Sequence, residues 1–137
     1  HRADDRKFMK FWNYFHHPKT ALVVLRVTLA LLMLLHGWAK IRYGIGSIEA
    51  KIESLGAPGF LAYAVYLGEV VAPLLLLVGL WVVPAALVIA VNMVVAFALM
   101  HTRQILMLNS TGGWALELQA FYFVSALVVA MAYSKGK

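Results

Sequence analysis

The sequence predicts an all-α membrane protein: a four-helix transmembrane bundle with a short interfacial helix in its first loop and an interfacial N-terminal arm. Three observations predict it. The 137 residues are 63% hydrophobic and only 13% charged, too few charges to clothe a soluble domain, where about 25% is usual. The mean hydropathy is +0.80. The apolar residues gather in four runs, at 20–41, 60–80, 84–101 and 114–133. Each is near the ~20 residues that cross a ~30 Å hydrocarbon layer as a helix. Isolated strands in lipid would leave their backbone groups unpartnered, so helices are expected.

The chain divides into residues 1–19, a basic aromatic arm, and residues 20–137, a membrane domain. The arm carries Arg6, Lys7 and Lys10 among Phe8, Phe11, Trp12, Tyr14 and Phe15. Such a segment is expected to lie with its rings at headgroup level. The first apolar run is too long for the core of a signal peptide. After it, residues 42–59 form a polar, glycine-rich loop, in which 47–55 reads as a short amphipathic helix. Gly79 and Pro84 bracket a tight turn, which makes the second and third spans antiparallel neighbours. Residues 102–113 form the last loop. Trp38, Trp81 and Trp114 fall near span ends, as an aromatic belt requires.

The net charge is +6. Its basic residues sit in the arm and at span ends, so anionic lipid rather than nucleic acid is the expected partner. An even number of spans puts both termini on one side. That side holds Arg2, Arg6, Lys7, Lys10, Lys19, Lys135 and Lys137, against Lys40, Arg42, Lys51 and Arg103 on the other. The positive-inside rule then places both termini in the cytoplasm, with a bacterial inner membrane as the expected location.

Ionisable groups within apolar spans are costly, and they are functional candidates by default. His36 and Lys40, four residues apart, share a face of the first helix, and Arg26 lies near the same stripe. Glu69 sits about nine residues into the second span, roughly 13 Å deep at 1.5 Å per residue. Pro73 lacks the N–H that would bond the carbonyl of Glu69, so a kink is expected there. His101 closes the third span and Glu117 opens the fourth. His36, Lys40, Glu69, His101 and Glu117 therefore fall in the outer half of the bilayer and are expected to face one polar pocket.

Structural alternatives stand beside these readings. Lys40 and Arg26 could snorkel to the headgroups. His101 could be a span-end residue, Glu117 could serve the helix dipole, and Glu69 could form a purely structural ion pair. Asn92, nine residues before His101, is expected on the opposite face as interhelical glue. No metal is expected, because no single helix carries the His and carboxylate spacings of a metal site. The sequence has no cysteine, which excludes thiol redox chemistry and Cys-ligated metals. No phosphate loop, nucleophile elbow or dinucleotide fingerprint occurs.

One pattern runs through these residues. Arg26 is followed by His36-Gly37-Trp38-Ala39-Lys40, then by Leu55-Gly56-Ala57-Pro58. Gly68-Glu69 and Leu76-Leu77-Val78-Gly79-Leu80 come next, and then His101, Gly112-Gly113-Trp114 and Glu117. In order and spacing this resembles the DoxX family of small four-helix membrane proteins over residues 20–134. The resemblance implies the fold. It also implies a role like that of the family's namesake, a subunit of a thiosulfate:quinone oxidoreductase. On that reading His36, Lys40 and His101 bind a quinone's carbonyls, Glu69 and Glu117 relay protons, and Arg26 belongs to the same polar stripe. With no cysteine present, a partner would bring the electron-transfer group.

Two other classes remain open. The protein could be a non-catalytic anchor or assembly protein for a partner complex or homo-oligomer, with the polar cluster setting interhelical specificity. Less favoured is a small transporter, since four spans without repeats lack the usual architecture. The enzyme reading requires a quinone-sized apolar crevice beside the cluster. The anchor reading requires a closed, satisfied network.

Overall fold

A computed structural model describes residues 2–98, 107–108 and 110–135. His101 and Arg103 lie outside the described residues, as does the end of the expected third span. The architecture is all-helical, and the described residues form no strand beyond one isolated bridge between Leu108 and Trp114.

Among the described residues six helical elements follow one another. Helix α1 spans Arg2–Asn13, α2 Pro18–Tyr43 and α3 Gly46–Ser54. Helix α4 is the continuous helical run Gly59–Val78. Helix α5 spans Val82–Ala96 and α6 Glu117–Tyr133. The apolar runs expected at 20–41 and 60–80 thus appear within about two residues of their expected ends. Both α2 and α4 are long and apolar enough to cross a membrane, each with a window of mean hydropathy 2.0. Helices α5 and α6 are shorter apolar helices. The fourth run starts at Glu117 rather than at 114, because Trp114 is held in the bridge to Leu108 and precedes a turn.

Each end has a local cause. Pro18 opens α2, where its missing N–H costs nothing. Gly44 ends the helix at φ 84°, and its N–H returns to the Lys40 carbonyl at 2.8 Å. Gly79, at φ 81°, ends α4 in a left-handed cap, with the Leu80 N–H on the Leu75 carbonyl at 2.9 Å. Trp81 then adopts φ 50°, a conformation uncommon outside glycine. The chain reverses there, so α4 and α5 run antiparallel, as Gly79 and Pro84 lead one to expect.

Helix α4 is not uniform. It begins as a 3₁₀ turn over Gly59–Tyr63 and widens to a π-turn over Leu67–Val71, then returns to α over Ala72–Val78. The Ala72 N–H reaches back to the Leu67 carbonyl. The discontinuity expected from Pro73 is therefore a π-turn just ahead of the proline, the usual form of an interrupted ladder near a functional site.

One core joins the long helices. Leu29, Ala30 and Met33 of α2 meet Ala72 and Leu76 of α4, Ala86 and Ile89 of α5, and Ala126 and Val129 of α6. Seven alanines of this cluster are buried. Small residues let backbones approach closely, which is how helices pack when lipid tails remove the hydrophobic drive between them. Large apolar side chains point the other way: Leu35, Val78, Val91, Phe121 and Met131 are each more than 60% exposed. A surface this apolar requires a cover, and lipid supplies it. Helix α3 forms a second small core, where Ile45 and Ile52 pack with Ala62 at the start of α4.

Candidate functional site

The site grows from one contact between α2 and α4. Gly37 lies against the backbone carbonyl of Glu69, the group that Pro73, with no N–H, cannot bond. A methyl group on Gly37 would meet that carbonyl and would come 2.8 Å from Val70 Cγ2. The glycine therefore sets the closeness of the two helices. It also brings the flanking residues of α2, His36 and Lys40, over the acidic turn of α4.

Lys40 Nζ lies 2.7 Å from Glu69 Oε2. The carboxylate side chain is 6% exposed and the lysine 25%. The approach lies off hydrogen-bond direction, so Oε2 has an ionic partner and no hydrogen-bond donor. The lysine is held from behind as well: Tyr66 Oη donates to the Lys40 carbonyl at 3.2 Å. His36 faces α6, where its Nε2 lies 3.3 Å from Tyr122 Oη with the rings edge to face. Either the phenol donates to an unprotonated Nε2 or Nε2–H donates to the phenol oxygen. The imidazole tautomer decides which of the two donates.

These groups line a cavity of about 290 Å³. Its walls are mostly apolar, with Met33, Val65 and Met93 among them, and its polar groups are His36, Lys40, Ser47, Glu69, Asn92, Gln119 and Tyr122. Two of those polar groups carry buried atoms without a partner in the protein, Asn92 Nδ2 and Gln119 Oε1. Buried polar atoms are almost always paired, so orphans on a cavity wall mark where a ligand or water would bond.

The structure brings together three of the six candidates, His36, Lys40 and Glu69. His101 lies outside the described residues. Glu117 stands in the first turn of α6, but its carboxylate folds back against Gly113 and it does not line the cavity. Arg26 is at the other end of α2, about 15 Å below His36 at 1.5 Å per residue. Its Nη1 donates to the Leu76 carbonyl at 2.8 Å, and the guanidinium sits 5.7 Å from the centre of the Tyr133 ring. A cation on the last carbonyls of α4 is well placed for the helix dipole. Arg26 therefore ties α2, α4 and α6 together at the end away from the cavity, and it leaves the site.

Asn92 lines the cavity from α5, and it makes the interhelical contact expected of it; His101, from which its face was reckoned, lies outside the described residues. The Asn92 side chain rests on Gly68, where any Cβ would collide with it. Tyr122 and Gln119 went unnoticed in the sequence. Their signal is present: three residues apart, they put two polar groups on one face of an aliphatic helix. Among the described residues no group of His, Asp and Glu could hold a metal ion.

The comparisons with known proteins fit this arrangement. No curated protein and no solved structure matches the chain. The model of the DoxX family matches residues 21–102, which take in nearly all of α2, then α3 through α5, and eleven of the thirteen described residues around the cavity. That span is more than half of the sequence, and with apolar helices of this kind the protein is a membrane protein that belongs to the DoxX family.

Proposed function

We propose that this protein is a four-span subunit of a bacterial inner membrane, with both termini cytoplasmic. In this reading its outer-leaflet cavity binds a quinone that accepts electrons from a reduced sulfur compound. The single observation that carries the reading is the cavity itself: about 290 Å³, mostly apolar, and edged by an ammonium, an imidazole, a phenol and a carboxylate from three helices. Ligand pockets have this composition, apolar walls with a few convergent polar groups.

Reducing a quinone takes two electrons and two protons. Lys40, Asn92 and the His36–Tyr122 pair offer donors to two ring carbonyls. Glu69 and His36–Tyr122 can deliver protons at the membrane interface. The electrons come from the sulfur compound through a partner protein, because this cysteine-free chain brings no redox group of its own. The unpaired atoms of Asn92 and Gln119 favour this reading over a non-catalytic anchor, whose internal network should be closed.

The test is quinone binding to the purified protein in nanodiscs, for the unaltered chain and for Glu69→Gln and His36→Ala. Saturable binding that weakens at least tenfold in either variant, with helicity intact by circular dichroism, supports the reading. Absence of binding, with both variants merely less stable, sinks it and leaves the cluster as glue in an anchor.

A further inference from the structure

The cavity has a neighbour at Asn92. A second hollow of about 360 Å³ lies between α4 and α5, and it shares the wall residues Val65, Asn92 and Val95 with the first. The two differ in character. The first carries the polar groups, whereas the second is lined by Leu61, Ala64, Leu67, Leu87, Val88 and Val91. Among the described residues Asn92 is the polar one of this groove, and it stands at the junction with its Nδ2 unpaired.

The groove has a reason to exist. Gly68 faces Asn92 with no side chain, and a Cβ there would come 2.5 Å from the Asn92 Cβ and Cγ. The π-turn over Leu67–Val71 displaces this part of α4 from a regular path. The rim residues Leu61, Leu67, Leu87 and Val91 are each 45% exposed or more, on the apolar flank that lipid covers.

Resting on the quinone reading, we infer that cavity and groove form one head-and-tail site, loaded sideways from the bilayer. The ligand's ring occupies the cavity. Its apolar prenyl or alkyl chain leaves past Asn92 between α4 and α5. The adjacency of the two hollows, which share Val65, Asn92 and Val95, selects this occupant. A ring in the cavity has an apolar exit through Val65 and Val95, and Asn92 can donate to the ring where the chain departs. Lipid tails are as apolar as the groove, so the groove adds little affinity from within the membrane. Its role is steric: it admits the chain without displacing a helix.

That distinction sets the experiment. Ala64→Phe on α4 and Val91→Phe on α5 each fill the groove from an exposed position, and neither residue lines the cavity. Binding to nanodiscs is measured for a dimethoxybenzoquinone without a side chain and for the same ring with a decyl chain, both expressed per lipid. In the unaltered protein both rings bind with affinities within a few-fold. Each groove variant is expected to weaken the decyl compound at least tenfold and to leave the chainless ring unchanged. If a variant binds both compounds as the unaltered protein does, or weakens both alike, the head-and-tail site is wrong while the quinone reading stands. If neither compound binds the unaltered protein, the quinone reading falls and the inference falls with it.

Discussion

Removing Lys40 and removing Glu69 should not cost the same, although each removes half of one ion pair. The carboxylate side chain is 6% exposed and the lysine 25%, with 2.7 Å between Nζ and Oε2. Lys40→Met leaves a buried carboxylate with neither ionic nor hydrogen-bonded partner at Oε2. Stripping the partner from a buried charge costs about 3–5 kcal/mol. Glu69→Gln leaves an ammonium near the end of α2, on a long side chain already one quarter exposed. That group can snorkel to water, so the expected loss is about 1 kcal/mol. The double variant Lys40→Met/Glu69→Gln buries no charge, and its expected loss is about 1–2 kcal/mol. The double-mutant coupling is then about 2–5 kcal/mol, at or above the upper end of the range for groups in direct contact. Unfolding in mixed detergent–SDS micelles, followed by circular dichroism, measures all four proteins. Equal losses for the two single variants, or losses that add in the double variant, would refute the argument that the carboxylate is the buried partner.

Further outcomes follow from the same geometry. Gly37→Ala forces a methyl group into the Glu69 carbonyl and Val70; overpacking of this kind costs about 1–3 kcal/mol, readable in the same unfolding assay, and should weaken quinone binding as well. Arg26→Met removes the guanidinium from the Leu76 carbonyl and should lower stability by about 1–3 kcal/mol, while the quinone Kd stays unchanged because the cavity is at the other end of the helix. Tyr122→Phe loses the 3.3 Å contact with His36; the expected destabilisation is about 0.5–1.5 kcal/mol, with slower quinone reduction in the assembled complex. In α1, Phe8, Phe11 and Trp12, continued by Phe15, form an exposed stripe at helical spacing. A peptide of residues 1–19 should therefore bind anionic vesicles, lose binding as salt rises, and lose it again when Phe11 and Trp12 are replaced by serine.

Much of the fold was legible because lipid imposes a simple rule on sequence. Helices α2 and α4 follow from uninterrupted apolar runs, and α3 follows from its amphipathic spacing between glycines. Pro73 signalled the broken ladder in α4, although whether it would kink or widen depended on how α2 packs against it, which no local pattern encodes. The site was legible where one helix carries the information. His36 and Lys40 sit four residues apart, and Glu69 is too deep to be incidental. It was less legible wherever positions had to be compared between helices. Asn92 carried a mid-span amide in the sequence, but that it meets Gly68 of α4 and edges the cavity depends on how two helices pack. Glu117 shared a depth with the cluster, but its backbone starts only after the turn at Trp114, which leaves its carboxylate against Gly113. Arg26 lay on the right stripe of α2, yet the stripe runs past two different neighbours, the acidic turn at one end and the capped end of α4 at the other.

The central claim is that a quinone ring occupies the cavity between α2, α4 and α6, and photo-crosslinking tests it most directly. An azido-substituted quinone is illuminated on the protein in nanodiscs, and the labelled residues are mapped by mass spectrometry. Labels should concentrate on cavity walls such as Met33, Met93 and Tyr122, and an excess of unlabelled quinone should suppress them. Labels spread over outward residues such as Leu35, Phe121 and Met131, unaffected by competitor, would show that the quinone merely dissolves in the surrounding lipid, and the claim would be wrong.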